Sequence, residues 1–284
     1  MPPAFSPDRM IEAAWRGGVR PIMTLTPLGP DGRFNNALVT ALIEDEAVQQ
    51  RLIWSIGGEL LEKGFAGVDI DFEYVESRDR EGYARFVTLV NQMLTPFGYQ
   101  VTVALAPKTS ADQPGLLYEG IDYGLLGAAA DRVMLMTYEW GYTYGPPMAV
   151  APINMVRRVV EYAVTEIPRE KISLGIPNYG YDWPLPYERG VTRATTISNK
   201  EAVALAVDHG VEILFDETAA SPYFHYWQYG IRHEVWFEDV RSMKAKFDLI
   251  KLFGLTGAGY WQLMNLFRAN WLMMEELFQV ERLA

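Results

Sequence analysis

Three carboxylates recur at every second residue in the run Gly67-Val68-Asp69-Ile70-Asp71-Phe72-Glu73. Alternate side chains of an extended strand share a face. The spacing therefore predicts Asp69, Asp71 and Glu73 on one side and Val68, Ile70 and Phe72 in an apolar layer on the other. Same-face neighbours lie roughly 7 Å apart along a strand. Like charges at that distance in a partly dry site resist joint ionisation, so at least one pKa is expected to rise. A carboxyl that keeps its proton near neutral pH is what general-acid catalysis requires. A solvated strand face and a metal site are the alternative readings of such a row. The flanking Phe65 and Phe72 and the apolar character of the run favour a pocket.

Other chemistries are excluded by what the 284 residues lack or how they are spaced. The absence of cysteine rules out disulfides, thiolate nucleophiles and cysteine–zinc centres. His209, His225 and His233 have no metal-like spacing, and structural roles are expected for them. There is no Gly-x-Ser-x-Gly elbow and no phosphate-cradling glycine loop. The formal net charge is −11 and no basic stripe is present, so nucleic acid is not an expected partner. No apolar run reaches the ~18 residues needed to span a bilayer, so no membrane association is expected. Residues 1–5 do not begin a basic stretch followed by an apolar core, so no signal peptide is visible. Eight tryptophans and sixteen tyrosines fit either extra core and surface aromatics or a carbohydrate cleft, and composition does not decide between them.

The elements that must position the acids alternate in type. Strand-like apolar runs occur at 19–25, 68–72, 101–106, 131–137, 172–177 and 257–262. Helical spacing occurs near 6–16 and over 35–63, 80–94, 151–166 and 239–253, with Gly64 as a helix stop. Repeated strand–helix alternation with short connections predicts an α/β fold with a parallel sheet. Residues 179–238 break the rhythm. A helix near 198–209 and short strands at 212–215, 223–228 and 233–237 predict an α+β insertion before the last strand. Its aromatics could roof a cleft or pack the insertion itself. The expected division is a catalytic domain of 1–178 with 239–284 and an insertion of 179–238. Six parallel strands are expected where a closed (β/α)8 barrel needs eight. Either the sheet is open or the first part of a barrel lies outside this chain.

The acid run resembles the Asp-x-x-Asp-x-Asp-x-Glu signature of family 18 glycoside hydrolases, the chitinase-like family. Its last three acids match; Ala66 stands in place of the first, and Phe72 stands where many chitinases have Trp. Met136-Thr137-Tyr138-Glu139 resembles the family's Met-x-Tyr-Asp segment with Glu for Asp, and Tyr260-Trp261 resembles its last strand. The stretches 104–110, 133–142, 145–152, 179–183 and 233–239 are similar to spore cortex-lytic N-acetylglucosaminidases and related spore hydrolases of endospore-forming bacteria. The resemblance implies a TIM-type (β/α)8 barrel, here lacking its first two strands, and a retaining, substrate-assisted mechanism. In it Glu73 protonates the glycosidic oxygen and later activates water. The 2-acetamido oxygen of the sugar attacks the anomeric carbon. Asp71 hydrogen-bonds the acetamido N–H, Tyr138 holds the acetamido oxygen, and Trp261 stacks beneath the sugar. Asp69, Met136, Glu139 and Trp140 are implied as further substrate-binding residues. No metal or organic cofactor is implied. Ser55-Ile56-Gly57-Gly58 resembles another family strand motif but falls in a helical pattern and reads as a decoy. Lys108, just after the third strand, reads equally as a substrate contact and as a surface lysine.

The expected substrate is peptidoglycan or a chitin-like glycan, and the expected setting is the spore or cell wall of an endospore-forming bacterium. A glycan-binding protein without turnover is the alternative, motivated by Ala66, Glu139 and the missing strands. An opened barrel leaves two unpaired sheet edges, and self-association through them is expected.

Overall fold

The strand that carries the acid row is held by what its apolar residues bury. In the computed structural model, which describes residues 6–280, Val68 and Ile70 are fully buried and Phe72 is nearly so. The chain divides into two compact units, one built from residues 6–135 and 165–172, the other from 136–164 and 173–279.

The first unit runs α1 (Asp8–Arg16), β1 (Ile22–Leu25), α2 (Asn36–Glu44), α3 (Glu46–Lys63), β2 (Gly67–Ile70), α4 (Arg80–Leu94), β3 (Gln100–Leu105), α5 (Tyr123–Ala129) and β4 (Arg132–Leu135). Its strands pair in parallel in the order β1-β2-β3-β4, with Thr24 opposite Asp69 and Asp69 opposite Thr102. The expected strand at 19–25 is shorter than its apolar run. Pro21 has no N–H for the ladder, and only its carbonyl is used, accepting the Ala66 N–H at 2.7 Å. The continuous helical pattern over 35–63 is two helices. Asp45 lies between them in extended conformation, and its side chain accepts the Ala47 and Val48 N–H groups at 2.8 and 3.1 Å, capping α3. Ser55–Gly58 lies inside α3, away from any strand.

Helix α4 buries Tyr83, Phe86, Val87, Val90 and Leu94. Phe72 stacks on two of these rings, with centroids 5.3 Å from Tyr83 and 6.0 Å from Phe86. Lys108 is neither a surface lysine nor open to a ligand. It is fully buried, with its ammonium donating to the Ala111 and Ile121 carbonyls at 2.9 and 2.7 Å. Those carbonyls take up donors that burial would otherwise strand.

The second unit contains most of α6 (Ile153–Glu166) and β5 (Ile172–Pro177), then β6 (Gly180–Leu185), β7 (Thr195–Ile197), α7 (Asn199–Asp208), β8 (Leu214–Asp216), β9 (Ser221–Gln228), β10 (Ile231–Trp236), α8 (Val240–Phe253), β11 (Gly257–Trp261) and α9 (Arg268–Leu277). β5 and β11 pair in parallel. Among the described residues the first unit thus has four parallel strands and the second two, six in number as expected from the sequence. Strands β6 to β10 form a separate antiparallel sheet in the order β7-β6-β10-β9-β8. One face of that sheet packs Phe224, Tyr226 and Val235 against Ala202 and Ala206 of α7. No helix among the described residues is long and apolar enough to cross a membrane.

Gly67 opens β2 where no side chain fits, since a Cβ there would lie 2.1 Å from the Gln100 carbonyl oxygen. Gly67→Ala must push β2 and β3 apart at the base of the acid row. The expected loss of stability is about 1–3 kcal/mol, read as a lower urea midpoint. An unchanged midpoint would show that the two strands are not held this closely.

Candidate active site

The acid row straddles the end of β2. Asp69 is within the strand, and Asp71 continues the ladder by donating its N–H to the Leu25 carbonyl at 3.0 Å. Tyr74, directly after Glu73, has a φ of +58°, a region that non-glycine residues adopt at a cost of order 1 kcal/mol or more. The acids thus lie where regular pairing gives way to a constrained turn.

Each acid has a distinct environment. Asp69 accepts a hydrogen bond from the Thr102 hydroxyl of the neighbouring strand, its register partner. Burial pushes its pKa up, and the Thr102 bond offsets part of that rise. Asp71 is shifted further, to about 6, first by burial and then by the charge of Asp69. Its Oδ1 is buried and accepts no hydrogen bond from the protein. Glu73 is half-buried. The raised carboxyl expected from the spacing is present, but desolvation outranks the like-charge effect as its cause. Tyr83, beneath the row, is pushed well up by burial and then by the charges of Asp71 and Asp69.

The remaining expected site residues lie in the second unit. Met136 and Tyr138 are half-buried, with the Met136 carbonyl accepting the Tyr138 N–H at 2.9 Å. Between them Thr137 is fully buried and donates to the Gly175 carbonyl of β5 at 2.7 Å, which anchors the segment. Glu139 has a φ of +67°. One of its oxygens accepts both the Tyr179 hydroxyl and, at 2.9 Å, the Tyr181 hydroxyl. Burial raises the Glu139 pKa, and the two phenols work against that rise. Tyr138 packs against the cluster formed by Val150, Tyr179, Tyr181, Trp183 and Ala194. Trp140 is half-buried and donates its N–H to the Val150 carbonyl at 3.1 Å. Trp261 ends β11 as an exposed residue, 57 % accessible, and the peptide bond after it is cis.

Thr102, Tyr179 and Tyr181 are site partners that sequence spacing did not single out. The alternation Tyr179-x-Tyr181 on a strand carried the signal for two of them. The histidines serve structure: His225 pairs with Glu234 at 3.1 Å, His233 with Asp182 at 2.9 Å, and His209 packs against the Tyr226 ring at a tilt of 46°. Among the described residues no group of three or more histidines and carboxylates is placed to hold a metal ion.

The Asp71 shift has a consequence for stability. Its folded-state pKa of about 6 exceeds the ordinary 3.8, so the folded protein holds a proton that the unfolded chain gives up. That contribution is complete below about pH 3.8 and is lost as the pH rises through about 6. A shift of this size corresponds to about 3 kcal/mol. The stability of the Asp71→Asn variant relative to the parent should therefore rise by that order between pH 3.8 and 6, measured by chemical denaturation at each pH. A difference independent of pH would mean that Asp71 is solvated.

Residues 32–265 match the model of glycosyl hydrolases family 18. The cortical fragment-lytic enzyme of Bacillus subtilis (strain 168) is 46 % identical over 248 residues, which is 87 % of this chain and 58 % of that protein. The crystal structure of the Bacillus cereus spore cortex-lytic enzyme SleL superposes with a TM-score of 0.96 at 37 % identity, covering 99 % of this chain and 65 % of that one. A chitinase from Chromobacterium violaceum ATCC 12472 superposes with a TM-score of 0.90 at 26 % identity, covering 97 % of this chain and 85 % of that one. The chain spans less than two thirds of the length of the cortex-lytic relatives it matches. The fold is the TIM-barrel-like fold of these hydrolases, with an inserted antiparallel sheet. By the family match, the identities and the superpositions together, the chain belongs to family 18 of the glycosyl hydrolases.

Proposed function

We propose that the chain hydrolyses linkages of N-acetylglucosamine in peptidoglycan of the spore-cortex type, by a retaining mechanism in which the substrate's acetamido group is the nucleophile. The observation that carries this reading is the buried, unpartnered Oδ1 of Asp71 between two further acids. A buried acceptor without a donor is costly, and an acetamido N–H is the donor that would satisfy it. A neighbouring acetamido group so held has its oxygen free to attack the anomeric carbon.

Glu73 then donates its proton to the glycosidic oxygen as that bond breaks, and the acetamido oxygen closes an oxazolinium ring. Asp71, deprotonated or sharing its proton, stabilises the positive charge that develops on that ring. Glu73 next takes a proton from the water that reopens it, which returns the anomeric centre to its starting configuration. Tyr138 donates to the acetamido oxygen, Trp261 stacks under the sugar ring, and Asp69, Met136, Glu139 and Trp140 complete the substrate contacts. The names of the cortex-lytic relatives support the cortex over other N-acetylglucosamine polymers, and they support spore association in an endospore-forming bacterium.

The test compares the parent with Glu73→Gln on decoated spore cortex, with new reducing ends and muropeptides as readouts. The parent is expected to release N-acetylglucosamine reducing ends. Loss of the acid should lower the rate roughly 10²–10⁴-fold while leaving glycan binding and the unfolding midpoint near parental values. A parent that binds cortex glycan and releases no reducing ends would overturn the hydrolase reading.

A further inference from the structure

We propose that Asn178 is the positioning residue for Trp261, acting through a buried polar chain that ends on the loop carrying the indole. The inference rests on the reading of Trp261 as the floor for the sugar. With 57 % of the residue exposed, packing does little to fix that ring. Its placement must come from its backbone.

At the end of the β5–β11 ladder one residue carries the pairing on into the loop. Trp261 pairs in register with Pro177, which has no N–H to donate. The next residue takes over: the Asn178 N–H donates to the Trp261 carbonyl at 2.7 Å. The Asn178 carboxamide then spends its donors on the same loop, with the Asn265 carbonyl as a close acceptor and the Gln262 carbonyl at 3.5 Å. Its Oδ1 accepts from the Asn199 Nδ2 at 3.2 Å. A carboxamide is the side chain that offers two donors and an acceptor at once. Both asparagines are 1 % exposed, so neither can exchange these partners for water.

The chain continues inward. The Asn199 Oδ1 accepts the Glu238 N–H at 3.0 Å, and Glu238 pairs with Lys246 at 2.7 Å, both fully buried. The ion pair and α8 therefore anchor Asn199, Asn199 orients Asn178, and Asn178 sets the loop from Trp261 to Asn265. Asn199 opens α7 beside the antiparallel sheet, so the inserted segment also helps to locate the indole.

A double-mutant cycle tests this by calorimetric titration with the N-acetylglucosamine tetramer, in a Glu73→Gln background so that the ligand persists. Trp261→Ala and Asn178→Ala should each weaken binding roughly ten- to a hundredfold, the scale on which misplacement of a binding group acts. In the combined variant the Asn178 change should add nothing to the Trp261 loss. Asn199→Ala, which leaves Asn178 in place and removes only the group that orients it, should weaken binding in the same non-additive way. It carries the test if Asn178→Ala does not fold. Additive losses, or parental affinity in the asparagine variants, would overturn the proposal while leaving Trp261 as the sugar floor. Parental affinity in Trp261→Ala, or no tetramer binding before either change, would remove the reading beneath it as well.

Discussion

Three carboxylates crowded at one strand end must be taken partly out of water, and the architecture around them compensates for that cost. Asp69 and Asp71 are both pushed above their ordinary pKa, chiefly by desolvation. On the other face Val68, Ile70 and Phe72 are buried, at roughly 1.5–3 kcal/mol each. That burial favours the orientation in which β2 turns its acids away from α4. A slip of one residue would expose the apolar three and bury the acids under α4. The row is therefore set by its apolar partners, and the close approach of β2 to β3 at Gly67 holds the register in which Thr102 reaches Asp69.

Alternation in so short a motif encodes facing directly wherever the strand is regular. The pairing covers Gly67–Ile70 and is continued by the Asp71 N–H, so the expected strand over 68–72 ends earlier than its pattern and Glu73 lies beyond it. Element type was legible wherever apolar spacing was regular: Arg80–Leu94 and Ile172–Pro177 match the sequence reading end to end. Boundaries failed where a single residue overrode the pattern. Asp45 splits the 35–63 helix because its carboxylate takes the α3 N-terminal donors, although the apolar period runs straight through it. The sequence pattern marked no strand at Gly180–Leu185 and no helix at Tyr123–Ala129 or Arg268–Leu277, all of which the structure contains.

The partners of the site were less legible than its acids. Thr102 reaches Asp69 only through strand register, and the Tyr179 and Tyr181 hydroxyls meet at Glu139 only because β6 follows β5 closely. Lys108 illustrates the converse: a lysine at a strand end reads equally as a substrate contact and as a surface lysine, yet it is buried and its ammonium donates to two loop carbonyls. The left-handed residues Tyr74 and Glu139 carry no signal at all, because neither is glycine. Strain of this kind survives where the surroundings over-determine the backbone, and here it falls directly after Glu73 and directly after Tyr138.

The two strained points also distinguish two kinds of carboxylate. Glu139 has one oxygen engaged by two phenols, and each phenol is in turn driven further from ionisation by that carboxylate as well as by burial. Such a group is held in place and serves as a fixed acceptor. Asp71 keeps a buried oxygen without a protein donor and a pKa of about 6, so both its proton and its partner can change with what binds. The mechanism proposed above asks for one carboxylate that responds to charge, and Asp71 has the properties for it. The extra methylene that sets Glu139 apart from the family's Asp leaves its carboxylate restrained. It extends the carboxylate to Tyr179 and Tyr181, and the restraint it gains from them is what a longer, more flexible side chain would otherwise lack.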